Sequence, residues 1–122
     1  FGSVALTGGF SPDPHVVEVI AGGTLAAESA ADSMCRGYVS AAPDYELSFT
    51  PGSLGLFISV LSDADTTLVI NDPTGNWVCN DDNYGLNPDQ PAAGTYDIWV
   101  GTYREGQSAT AQLEISELGF AN

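Results

Sequence analysis

The sequence predicts an all-β protein, an antiparallel β-sandwich with jelly-roll-like character built from seven to nine short strands and closed by one disulfide. Three observations carry that expectation. Apolar residues alternate with polar ones at a period of two in several runs, the pattern of a strand with one buried face. Turn residues recur every eight to twelve positions. No stretch carries a convincing helical period.

Val4 to Leu6 is a short strand ended by Gly8-Gly9, so residues 1–10 read as an N-terminal arm or edge strand. Ser11-Pro12-Asp13-Pro14 is a rigid loop, because each proline excludes helix from the residue before it. His15 to Ile20 is β-branched, and Gly22-Gly23 predicts a hairpin with Thr24 to Ser29. A short helical turn fits Ala30 to Met34, and Cys35 to Val39 approaches another strand. Tyr45, Leu47 and Phe49 alternate with Glu46, Ser48 and Thr50, the cleanest half-buried strand in the chain. Leu56, Ile58 and Val60 form the next inward row. Leu68 and Ile70 follow, and then Asp72-Pro73-Thr74-Gly75, a turn in which proline pre-sets φ and glycine accepts a positive one. Tyr96, Ile98 and Val100 alternate again, Ala111, Leu113 and Ile115 close the sheet, and residues 119–122 are expected to be a frayed tail. No linker or low-complexity tract divides the 122 residues, which predict a single domain.

Charge excludes whole classes of function. Sixteen acidic residues face two arginines, Arg36 and Arg104, with no lysine. A surface this negative repels phosphate backbones and anionic membranes, so nucleic acid and membrane insertion are set aside. No apolar run reaches the roughly 18 residues that a spanning helix needs. Starting at Phe1 without a charged-then-apolar leader, the chain is expected to be a mature secreted product, extracellular or periplasmic, from which a signal or a preceding domain has been removed. In that setting Cys35 and Cys79 predict a disulfide, worth at most about 4 kcal/mol by the chain-entropy model.

The acidic stretch after Trp77 is the strongest chemical signal. Calcium takes roughly six to eight oxygens from carboxylates, amides and carbonyls on an adaptable loop. Asn80, Asp81, Asp82, Asn83 and Asn87 supply such oxygens locally, and Asp65 and Asp97 on the flanking strands are expected to converge on them. The glycine offset excludes an EF-hand, and a solvated acidic turn is the competing reading. Asp65, Asn80, Asp81, Asp82 and Asp97 form the expected Ca2+ set. Trp77, Trp99 and Tyr103, with Tyr84 nearby, are placed to stack on sugar rings if they face solvent. Catalysis has little to build on. His15 is the single histidine, it follows Pro14 at a strand start, and no Gly-x-Ser-x-Gly elbow exists. One histidine and bridged cysteines leave few ligands for zinc or copper.

The series Asp65, Leu68-Val69-Ile70, Pro73-x-Gly75, Asp81-Asp82 and Pro91-x-x-Gly94-x-Tyr96-x-Ile98-x-Val100 resembles the bacterial pre-peptidase C-terminal (PPC) domain. That family is related to the collagen-binding β-sandwich domains of clostridial collagenases. The stretches 35–38 and 96–103 are similar to modules that accompany trypsin-like proteases in secreted bacterial proteins. The resemblance covers Asp44 to Ser116 and implies a jelly-roll-like, calcium-stabilised, non-catalytic domain. Residues 86–90 are too short for the strand such domains carry there, which implies an open sheet edge. The expectation is therefore a secreted, non-catalytic, calcium-binding module for attachment to a surface, a polysaccharide or a protein partner. Its rivals are a filament or surface-layer subunit that forms a homo-polymer by strand addition, and a small hydrolase.

Overall fold

The computed structural model describes residues 2–80, 83–87 and 91–120. Among them eleven strands form two sheets. They are β1 (Ser3–Thr7), β2 (His15–Ala21), β3 (Leu25–Ala26), β4 (Tyr38–Val39), β5 (Tyr45–Thr50), β6 (Leu56–Leu61), β7 (Thr66–Asn71), β8 (Trp77–Asn80), β9 (Asn83–Leu86), β10 (Gly94–Thr102) and β11 (Ala109–Ser116). A single helical turn, α1 (Ala27–Ala30), interrupts them. The two extra strands are β8 and β9. Asn80 and Asn83 therefore end and begin strands, and Asp81 and Asp82 between them lie outside the described residues.

The larger sheet is organised around β10. One edge of β10 pairs with β7, which pairs in turn with β8. Its other edge pairs first with β5 and then, at Thr102, with β4. Where β5 stops, Asp44 continues the ladder with its side chain: Oδ2 accepts the Val100 N–H at 2.7 Å. The smaller sheet runs β2-β11-β6-β9. Alternate residues of both sheets meet in one core, with Leu47, Ile58, Ile98, Leu113 and Ile115 fully buried. Tyr96 reaches from that core to the 91–94 corner, where its hydroxyl donates to the Ala92 carbonyl at 2.8 Å.

Of the two readings of residues 1–10, the edge strand is the one that forms: β1 pairs with β5 in parallel, Leu6 opposite Phe49, an exception to the antiparallel pattern. One expectation changes. The hairpin across Gly22-Gly23 does not form, because β2 pairs with β11 in one sheet and β3 with β4 in the other. The two glycines carry the chain between sheets instead. Gly22 has φ +105°, and a Cβ on Gly23 would lie 2.2 Å from the Val39 carbonyl carbon. Only glycine permits that approach. At the far end the tail returns to the smaller sheet, where Phe120 meets Phe57 edge to face with ring centroids 5.1 Å apart.

The 72–75 turn forms as its sequence predicts. Asp72 Oδ1 accepts the N–H groups of Thr74 and Asn76 at 2.9 and 3.0 Å, and Gly75 takes φ +89°. Cys35 and Cys79 form the expected disulfide, with Cα atoms 5.3 Å apart. It fixes the excursion around α1 onto the outer face of the larger sheet. Ala27, Cys35 and Val39 there bury Val69 in a second apolar cluster.

Candidate binding face

Strand register sorts the sequence-predicted residues into two groups. Asp97 lies opposite Glu46 on one side and Asn71 on the other, and Asn71 lies opposite Trp77. Glu46, Asp97, Asn71 and Trp77 thus form one cross-strand row on the outer face of the larger sheet. Trp99, two residues beyond Asp97, joins this row: its ring centroid is 5.3 Å from that of Trp77, tilted by 43°. Both indoles are half-buried against α1, around a narrow slot of about 50 Å³ lined also by Leu25, Ala31, Val39 and Val69.

The second group sits at the opposite end of β7. Asp65 and Tyr103 share an open, mostly polar recess with Asp63 and Thr66. Thr66 pairs with Thr102, whereas Asn71 pairs with Asp97. At about 3.3 Å per residue, Asp65 and Asp97 are roughly 20 Å apart along the strand. One ion cannot take both, so the expected convergence of these two aspartates is corrected by the register. Asp81 and Asp82 fall outside the described residues, as does the structure of 88–90. Among the described residues, no three acidic, histidine or cysteine side chains converge as a metal group. Tyr84 leaves the aromatic set altogether, since it is buried in the core from β9.

Like charges directly opposed across a sheet are unfavourable unless something lies between them. The Glu46 carboxyl is hydrogen-bonded to Asp97, and that bond with the Asp97 charge pushes its pKa above the ordinary range. Asp97 Oδ1 is buried without a hydrogen-bond partner, while Glu46 is exposed. Asn71 is fixed by its amide, which donates to the Gly75 carbonyl at 3.2 Å. The result is a wall of carboxyl and amide groups beside two indoles. Sequence reasoning reached Asp97, Trp77 and Trp99 but not Glu46 or Asn71, whose place depends on which strands flank β10.

His15 is engaged at a strand end, its Nε2 3.0 Å from the Tyr45 hydroxyl. Asp44 is raised above the usual carboxylate range by burial, offset in part by the Val100 N–H. No helix among the described residues is long and apolar enough to cross a membrane.

No protein-family model matches the chain, and no curated protein matches its sequence. Among solved structures it is similar to PliG of Aeromonas hydrophila, a periplasmic lysozyme inhibitor of g-type lysozyme. The identity is 12%, the TM-score 0.45, and the match covers 93% of this chain and 96% of that one.

Proposed function

We propose that this chain is a secreted, non-catalytic binding module that attaches to a polysaccharide through the outer face of its larger sheet. The observation that carries this reading is the row Glu46-Asp97-Asn71-Trp77 with Trp99 beside it. Carboxyl and amide groups pair with sugar hydroxyls, and an indole face stacks on the apolar side of a pyranose ring. The formal charge of −14 selects against acidic polymers, so the ligand is a neutral or amino-sugar glycan. The disulfide supports a place outside the reducing cytoplasm. Affinity electrophoresis through gels of neutral, amino-sugar and uronic-acid polysaccharides tests it. Retardation by the first or second class, lost in Trp77→Ala and Trp99→Ala, is expected. Equal mobility in every gel removes the reading.

A second reading, attachment by strand addition, is favoured by the edge of the smaller sheet. Among the described residues β2 pairs on one side only, and its outward Val16 and Ile20 are 47% and 58% exposed. An edge this apolar, interrupted outward by Glu18 alone, accepts an extended segment of another chain. Because β1 is occupied in its own sheet, a homo-polymer formed by donating it has to break the β1–β5 ladder first. Glu18→Lys with Ile20→Lys abolishes association by this route and leaves glycan retardation intact.

A further inference from the structure

Glu117 follows the end of β11 and is only 4% exposed. Its Oε1 accepts the Gly9 N–H at 2.7 Å, and its own backbone N–H donates to Asp13 Oδ2 at 2.9 Å. The connection between β1 and β2 is thereby folded over the carboxylate. Each acid has one satisfied oxygen. The other oxygen of each, Glu117 Oε2 and Asp13 Oδ1, is buried without a hydrogen-bond partner.

Two carboxylates held by the same loop, with a buried lone-pair site each, need positive charge. The chain's own side chains do not bring it. Arg36 is bound to Glu28 at 3.5 Å and to the carbonyls of Ser33 and Cys35. Arg104 precedes β11, so the whole length of that strand, roughly 26 Å at about 3.3 Å per residue, separates it from Glu117. His15 directs Nε2 to Tyr45.

We propose that Asp13 and Glu117 hold a divalent cation, Ca2+, which pins the 8–14 connection to the end of β11. Two carboxylates from separate segments, completed by main-chain carbonyls and water, suit a hard cation that tolerates irregular coordination. A recess of about 310 Å³ lined by Asp13, Pro14, Glu114, Ser116, Leu118 and Phe120 opens at Asp13. This site is separate from the glycan-binding face, which lies on the outer side of the other sheet, and either proposal can fail without the other.

Calorimetric titration of chelator-stripped protein with CaCl2 alone tests it, alongside thermal unfolding with and without Ca2+. One ion per chain is expected, with the unfolding midpoint raised on the order of 5–10 °C at saturation and lowered again by EGTA. Asp13→Asn and Glu117→Gln each abolish the shift, whereas Asp81→Asn with Asp82→Asn retains it. If Glu117→Gln does not fold, Asp13→Asn and the wild-type titration still decide. Absence of heat and of a midpoint shift in the wild type overturns the site, as does a shift that survives in Asp13→Asn.

Discussion

Trp77 and Trp99 reach toward each other across β7, one from each neighbouring strand, and their rings meet 5.3 Å apart. Between them β7 contributes Val69, buried to 1% exposure beneath Ala27, Cys35 and Val39. The indole pair is therefore held from below by the sheet and from the side by the segment that the disulfide fixes. Removing that segment frees the rings without touching the main core.

Loss of the disulfide tests this separation. Cys35→Ala with Cys79→Ala is expected to cost about 2–4 kcal/mol of unfolding free energy, measured by denaturant titration. It should also shift tryptophan emission to longer wavelength under native conditions, as the half-buried indoles gain water. Unchanged emission would mean that other contacts hold the cover in place.

The Glu46–Asp97 pair sets a pH dependence. Glu46 has its pKa raised in the folded state, first by its hydrogen bond to Asp97 and then by that group's charge. A raised folded pKa means that the native state holds the proton more tightly than the unfolded chain. The pair's contribution is fully present below the unfolded value, and it is lost as pH rises through the folded one. Glu46→Gln removes the opposed charge, so its unfolding midpoint should exceed that of the wild type at pH 7 and approach it at pH 4. A midpoint difference independent of pH would show that Asp97 does not hold the Glu46 pKa up in the folded state.

The legible part of the fold is the part governed by period-two alternation. β5, β7, β10 and β11 were readable because each buries one face in a common core, and Asp72 to Gly75 because its turn chemistry is local. The partners of those strands were not readable. Gly22-Gly23 has the composition of a hairpin turn, but whether it folds back or crosses between sheets depends on Val39, which is distant in sequence. The same holds for the site. Trp77, Trp99 and Asp97 stand out by residue type, but Glu46 looks like any outward residue of an alternating strand until β5 is placed beside β10. Asp65 and Asp97 flank the acidic turn in sequence, yet antiparallel pairing sends them to opposite ends of β7.

Asp44 stands in for the missing strand between β5 and β4, and its role is separable by substitution. Asp44→Ala leaves the Val100 N–H without its acceptor and should cost about 1–3 kcal/mol. Asp44→Asn keeps an acceptor oxygen and removes the charge that burial disfavours. Its loss at pH 7 should be clearly smaller, with the difference read from paired denaturation curves. Equal losses would mean that the carboxylate charge, not the acceptor, is what the Val100 N–H requires.

The crossing between sheets gives the sharpest steric test. A Cβ on Gly23 would stand 2.2 Å from both the carbon and the oxygen of the Val39 carbonyl, and main-chain atoms cannot rotate aside as a side chain can. Gly23→Ala must separate β3 and β4 from the end of β2, and it is expected to cost about 3 kcal/mol, the upper range for overpacking. Gly106→Ala is the control. That glycine has φ +76° but nothing within 4 Å of its Cβ, so only backbone strain of roughly 1–2 kcal/mol applies. Thermal unfolding should rank Gly23→Ala well below Gly106→Ala. The opposite order would mean that the Gly23 backbone has room to move, and that the close approach of the two sheets does not depend on glycine there.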